Sequence, residues 1–273
     1  MAAVLRLIRA PNVLIAGSGV LAGGWIALRS IALPKELAFA TLSGMAIAAV
    51  GNVWNDIFDV AADRVNRPHT RPLAAGQVSR GIADLIALGC LLLAVAGAGL
   101  VGGAQVLAAM VALTVMFIYS PFLKRQPLLG NLAVAVVAGS PPFYGALAVG
   151  APAAGVTPWI LAAWLHLARE IVKDIEDMSG DRAMRRRTLP IVIGRRPALL
   201  VAAGVSLLFV PASLLLPWNA GYGGAYFVIA LVAQLAVLVA ATWLLLGRVE
   251  RVSPLLKGAM VVGLIALVAG KVA

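Results

Sequence analysis

The chain has 273 residues, 62% of them hydrophobic and 12% charged, with a net charge of +11 and a mean hydropathy of +0.99. Soluble domains carry roughly 25% charged residues, so a water-soluble globule is excluded and an all-α, polytopic membrane protein is expected. The positive charge does not point to nucleic acid: basic residues of membrane proteins gather in cytoplasmic loops, and no soluble stretch offers room for a nucleic-acid module.

The opening MAAVLRLIRAPNVLIAGSGV has a positive start and an apolar run, like a signal peptide, but residues 10–28 are uncharged and further apolar runs follow. The pattern predicts a first spanning helix. Residues 37–55 predict a second. Residues 85–123 carry no charge and have Gly102-Gly103 near the middle, which predicts two helices and a tight turn. Cys90 lies in the first of these and reads as a core residue, since a single cysteine has no partner for an intramolecular disulfide. Residues 126–168 predict two more helices with GAPAAG (150–155) as the turn. Residues 197–247 predict another two around PWNAGYGG (217–224), and a final helix runs from about 252 to 272, interrupted by Lys257. Nine spanning helices are expected.

Placing the N-terminus in the cytoplasm and alternating the spans puts all of the 22 Lys and Arg residues inside except Arg29, Lys35 and Lys271. A cell-membrane protein with cytoplasmic polar loops and an external C-terminus follows.

The acids are concentrated too. All of the 11 except Glu36, Asp84 and Glu250 lie in or beside two stretches, NDIFDVAADRVNRPHTRPLAAG (55–76) and KDIEDMSGDRAMRRRTLPIVIG (173–194). A shift of 118 positions superposes them without a gap: Asp56 on Asp174, Ile57 on Ile175, Asp59 on Asp177, Asp63 on Asp181, Arg64 on Arg182, Arg67 on Arg185, Thr70 on Thr188, Pro72 on Pro190 and Gly76 on Gly194. The expectation is a single membrane domain, 1–273, of two four-helix pseudo-repeats (about 5–124 and 125–250) plus an extra helix (252–272) around a central cavity. Repeats of even span number keep the same orientation, so both acidic stretches would face one another at the cytoplasmic side.

At about 100° per residue, Asn52, Asp56, Asp59 and Asp63 fall on one helical stripe with Asn55 to one side. Glu170, Asp174, Asp177 and Asp181 repeat that spacing. Carboxylates so close repel one another unless a cation joins them. The ligands are all oxygens, and His69, His166 and Cys90 have no zinc spacing. Mg²⁺ fits best, because it binds through one or two carboxylates together with substrate phosphates. The interleaved Arg64, Arg67, Arg71, Arg182 and Arg185 to Arg187 suit phosphate oxygens, although the positive-inside rule accounts for such arginines equally well. Tyr119 and Lys124, in YSPFLKRQPLLGN, could reach a phosphate or serve as interfacial and topogenic residues.

Asn55, Asp56, Asp59 and Asp63 resemble the NDxxDxxxD motif of the UbiA-type intramembrane prenyltransferases. Asp177 and Asp181 resemble the second, DxxxD motif, with Asp174 extending it. RPLAAG (71–76) is similar to the segment after the first motif. Tyr119 to Lys124 resembles the YxxxK element with one residue more in the gap, and Arg9 and Asn12 resemble the N-terminal polar pair. The resemblance runs through helices one to seven and is strongest to the archaeal ether-lipid branch. It implies Mg²⁺ held by Asp56, Asp59, Asp63, Asp174, Asp177 and Asp181, with Asp59 and Asp177 central to catalysis. It implies a prenyl diphosphate contacted by Asn12, Asn52, Asn55, Arg67, Arg71, Tyr119, Lys124 and Lys173. The implied reaction is transfer of a geranylgeranyl group to the hydroxyl of a lipid-tailed acceptor, geranylgeranylglyceryl phosphate. Prenylation of an aromatic quinone precursor such as 4-hydroxybenzoate shares these motifs. A cation-coupled transporter is disfavoured by acids at helix ends rather than at the midplane. The DG-and-AR pattern of CDP-alcohol phosphatidyltransferases is not found.

Overall fold

The computed structural model describes residues 2–272 and is helical throughout, with no strand among the described residues. In chain order the α-helices are α1 (Ala2–Leu7), α2 (Ala10–Leu28), α3 (Lys35–Asn66), α4 (Arg80–Gly99), α5 (Gly103–Tyr119), α6 (Leu129–Gly139), α7 (Pro141–Ala148), α8 (Val156–Glu176), α9 (Met178–Ala183), α10 (Leu189–Ile193), α11 (Arg195–Asn219), α12 (Gly224–Leu245) and α13 (Val252–Val272). Short 3₁₀ turns cover Leu123–Arg125 and Pro152–Gly155. The turns expected at 102–103, 150–155 and 217–224 lie at or beside helix boundaries.

Seven segments are long and apolar enough to cross a bilayer: α2, α3, α4, α6 with α7, α11, α12 and α13. Two of the expected spans fall outside that set for physical reasons. Helix α5 is apolar but has only 17 residues. Helix α8 has the length, but its last turns carry Arg169, Glu170, Lys173, Asp174 and Glu176. The chain is a multi-pass membrane protein, and large apolar side chains such as Leu14, Leu85, Leu107, Leu208 and Val228 are exposed along its outer surface.

Three breaks shape the interior. Arg9, between α1 and α2, has φ 54° and ψ 58°, a left-handed conformation that a side-chain-bearing residue rarely adopts. Pro11 follows in the first turn of α2, where a missing N–H costs nothing. The kink turns Arg9 inward. Pro141 and Pro142 end α6 and restart the chain as α7. Helix α7 then lies against α2, and close approach is possible because Gly145 faces the Val20 carbonyl while Gly23 faces that of Pro142. A Cβ at either glycine would collide with backbone. The third break follows Glu176, where α8 gives way to α9.

Helix α2 packs on α3 as α6 packs on α8; α3 packs on α4 as α8 packs on α11; α4 meets α5 as α11 meets α12. Helix α13 joins α12, α2 and α8. One apolar core unites α8, α11, α12 and α13, and a second unites α2 to α5 with α7.

Candidate active site

Between those two cores lies a cavity of about 550 Å³. Its deep part is lined by small and apolar side chains of α2, α3, α5, α6 and α7, among them Gly19, Ala48, Ala112, Val137 and Phe143. Its other end is lined by Asp59, Asp63, Lys124, Asp174, Asp177, Asp181 and Arg186. A polar head and an apolar tail can both be accommodated.

The first acidic stripe lies on α3, which continues as one helix from the apolar interior through Asp63 to Asn66. Asp56, Asp59 and Asp63 are all buried. Every one meets a cation. Arg9 donates to Asp56 Oδ1 in a close ion pair. Arg71 stands 3.7 Å from both Asp56 Oδ1 and Asp63 Oδ2. Lys124 donates to Asp59 Oδ2 in a second close pair, and Arg186 Nη2 donates to Asp59 Oδ1 at 2.6 Å.

The second stripe is not one helix. Asp174 lies in the last turn of α8, Asp177 caps that helix, and Asp181 lies on α9. Asp174 Oδ2 accepts from Asn131 Nδ2 at 2.7 Å. Asp177 Oδ1 accepts from Arg67 Nη2 at 2.7 Å. Asp181 accepts from Arg186 Nη1 at 3.3 Å and from Thr188 Oγ1 at 3.2 Å. Burial pushes the Asp181 carboxyl above the ordinary carboxylate range, against the pull of Lys124 and Arg186. Lys173 donates to both oxygens of Glu170 at 2.9 Å.

Besides the Arg67–Asp177 pair, two links close the halves on each other. Arg186 spans Asp59 and Asp181. Asn66, just past the first stripe, donates to the Asp177 carbonyl at 3.2 Å and accepts from the Gly180 N–H at 2.9 Å. Gly180 leaves room for this tie: a Cβ there would collide with Asn66 Nδ2, and the asparagine amide would have to move out of its two hydrogen bonds.

The expected site residues are therefore largely assembled. Asn12, Asn52, Asn55, Arg67, Arg71, Tyr119, Lys124 and Lys173 all line the cavity. Two asparagines are turned to structural partners: Asn52 donates to the Ile8 carbonyl at 2.9 Å, and Asn12 Oδ1 accepts from Lys257 Nζ at 2.6 Å. The arginine triplet divides, with Arg186 buried between the motifs and Arg185 and Arg187 exposed. Arg64 and Arg182 are exposed as well, as topogenic residues would be. Asn66, Asn131, Arg169 and Lys257 were not among the expected site residues. Thr188, aligned with Thr70 in the repeat register, is the one new contact for which the sequence carried a signal.

Among the described residues no three Asp, Glu, His or Cys side chains converge tightly enough to enclose an ion unaided. The donor set still fits a hard divalent cation. Mg²⁺ keeps several waters and takes much of its shell from substrate phosphate, so a closed protein cage is not required. Of the six expected aspartates only Asp56 does not line the cavity; it is buried behind it, paired to Arg9, with its Oδ2 left without a hydrogen-bond partner.

Comparison with known proteins agrees with this geometry. Residues 16–257 match the model of the UbiA prenyltransferase family. A digeranylgeranylglyceryl phosphate synthase from Natronomonas pharaonis is 36% identical over 271 residues, 99% of this chain and 97% of that protein. A solved structure from work on digeranylgeranylglyceryl phosphate synthase in membranes has a TM-score of 0.77 at 27% identity, covering 99% of this chain and 98% of the other. A UbiA homologue from Archaeoglobus fulgidus bound to GPP and Mg²⁺ shares the fold, with a TM-score of 0.73 at 20% identity and 98% of both chains covered. The paired acidic motifs at the mouth of an intramembrane cavity, and a family match over most of the chain, establish that this protein belongs to the UbiA prenyltransferase family.

Proposed function

We propose that the chain transfers a geranylgeranyl group from its diphosphate to the free hydroxyl of geranylgeranylglyceryl phosphate, forming an ether bond of an archaeal-type lipid. The observation that carries this reading is the cavity: acids and cations at one end, an apolar tunnel at the other, and a multi-pass membrane helix bundle around it. Relatives carrying that synthase name, alike over nearly the full length, support the acceptor. The A. fulgidus homologue's GPP and Mg²⁺ support a divalent cation as cofactor.

Asp56, Asp59 and Asp63 on one side and Asp174, Asp177 and Asp181 on the other would hold Mg²⁺. When bound, Mg²⁺ supplies Lewis-acid neutralisation of the leaving diphosphate. Lys124, Arg67, Arg71 and Arg186 now neutralise the carboxylates, and the same side chains are placed to turn to phosphate oxygens when a diphosphate enters. Breaking the C1–O bond leaves an allylic cation and the diphosphate. The acceptor oxygen attacks C1, and its proton passes to the released diphosphate or to solvent. Such an electrophile needs no strong general base, but it needs protection from water. The apolar lining from Val20 through Val137 and Phe143 supplies that protection.

The same reading takes α5 and α8 as spans, giving nine, with the two halves related by an axis near the membrane normal. The pairwise packing of α2–α5 and α6–α12 described above supports it. The charge distribution supports a cytoplasmic N-terminus and an external C-terminus.

The test is purified protein in lipid with radiolabelled geranylgeranyl diphosphate and Mg²⁺, offered geranylgeranylglyceryl phosphate or 4-hydroxybenzoate in separate reactions. Mg²⁺-dependent product with the lipid acceptor alone is expected. Product with the aromatic acid alone would move the enzyme to a quinone pathway, and none with either acceptor would overturn the assignment.

A further inference from the structure

The mouth of the cavity holds more positive charge than the acidic motifs absorb. Arg9, Arg67, Arg71, Lys124 and Arg186 each pair with a motif aspartate. A second group stands on a different wall, where α8, α13 and α2 meet. Arg169, Lys173 and Lys257 line the cavity there beside two carboxylates of α8, Glu170 and Asp174, the latter tied to Asn131. Lys173 holds both oxygens of Glu170 at 2.9 Å, which leaves Arg169 a longer contact of 3.6 Å. Arg169 Nε is buried without a hydrogen-bond partner. Lys257 has no acid; its Nζ donates to Asn12 Oδ1 at 2.6 Å.

Membrane topology alone does not account for this wall. The neighbouring Arg248 and Arg251 are exposed at the loop before α13, where topogenic cations are expected. Lys257 lies more than a turn inside α13, and its ammonium bridges to α2 rather than snorkelling outward. Arg169 is likewise well within α8. Holding Arg169 and Lys257 without a hydrogen-bonded carboxylate in a partly desolvated wall is costly without an anion. With Lys173 taken up by Glu170, Arg169 and Lys257 are left as two cations with no hydrogen-bonded carboxylate, a match for the charge of a phosphomonoester at neutral pH.

We infer that Arg169 and Lys257, with Asn12 orienting the lysine, form a second anion subsite that binds the phosphomonoester of the prenyl acceptor. This rests on the transfer reaction proposed above and adds where its second substrate is recognised. The diphosphate end of the donor and the phosphate of the acceptor then occupy different walls of one cavity. Two anions are kept apart, and the acceptor hydroxyl is held on the α2–α8–α13 side of the donor's C1. A dephosphorylated acceptor would lack this anchor.

The experiment compares geranylgeranylglyceryl phosphate with geranylgeranylglycerol as acceptors, in the wild type and in Lys257→Ala and Arg169→Gln. The wild type is expected to prefer the phosphorylated acceptor by about tenfold or more in kcat/KM, the scale of a hydrogen bond to a charged group. Each variant should lose most of that preference through a higher acceptor KM, while the KM for geranylgeranyl diphosphate stays within about twofold. Lys257→Arg and Arg169→Lys should retain it, which separates charge from packing. Preference undiminished in the neutral variants would overturn the subsite. So would a KM for the diphosphate rising in step, since the residues would then belong to the donor site. A wild type that uses neither acceptor, or only 4-hydroxybenzoate, shows itself before any variant is made; it overturns the transfer reaction and removes this subsite's ligand with it.

Discussion

The two acidic stripes have one spacing in the sequence and two geometries in the structure. On α3 the stripe stays on a single helix, and its three aspartates are buried against Arg9, Arg71, Lys124 and Arg186. In the second half the helix stops at Glu176, Asp177 turns at the cap, and Asp181 starts again from α9. Asp177 keeps 26% of its side chain exposed, whereas Asp59 keeps 5%. Ala62 and Gly180 occupy equivalent places in the repeat register. Alanine favours continued helix, and glycine costs about 1 kcal/mol there. At Gly180 that cost admits Asn66, which ties the second motif to the end of α3. The sequence repeat thus supplies the same acids twice, while divergence of the second copy makes room for the first copy to dock on it.

The largest expected effect sharpens this contrast. Asp59→Ala leaves Lys124 and Arg186 without their shared acid, so it should abolish transfer, by about 10³-fold or more, and destabilise the fold by roughly 3 kcal/mol. Asp177→Ala should lose comparable activity but change stability by only about 0–1 kcal/mol, because its ion pair is partly solvated. Turnover together with thermal melting in the same detergent distinguishes the two. Equal loss of stability in both variants would contradict the difference in burial.

Arg186→Ala comes next. It removes the side chain that bridges Asp59 and Asp181, and a loss of about 10²-fold in kcat/KM is expected. Arg185→Ala, one residue away and exposed, should leave activity within about twofold. Parallel losses would mean that the triplet acts only as a cationic patch.

Gly180→Ala breaks the tie between the halves by crowding Asn66. A drop of about tenfold in activity is expected, from misplacement of Asp177 rather than loss of a ligand. Asn66→Ala should behave alike, and the double variant should be little worse than either single one. The smallest effect is Ala62→Gly, which loosens α3 without touching a partner and should cost about 1 kcal/mol of stability with activity near normal.

Much of the fold is legible in the amino-acid sequence alone. Charge-free runs mark α2, α4, α5, α11 and α12, because lipid excludes charge over the full length of a span. The stripe of Asn52, Asp56, Asp59 and Asp63 is legible because all four lie within one helix, where sequence spacing is geometry. Asp181 is misplaced by that same rule, since the helix does not continue past Glu176. The α6–α7 break is carried by Pro141-Pro142 but hidden inside an apolar run long enough for a helix. Asn66, Asn131, Arg169 and Lys257 are the least legible. Their roles depend on partners 43 to 245 positions away or on burial, and a cation turned inward has the same letter as one that follows the positive-inside rule.

The central claim is that both stripes grip one diphosphate through divalent cations. The most direct measurement is equilibrium binding of geranylgeranyl thiolodiphosphate, a poorly ionising donor analogue, with and without Mg²⁺. It would be made by calorimetry on the wild type, Asp59→Asn and Asp177→Asn. Mg²⁺-enhanced binding is predicted in the wild type, with loss of that enhancement in each variant, by similar factors despite their different burial. Enhancement that survives intact in either variant would show that one stripe binds the donor without the other, contradicting the shared grip.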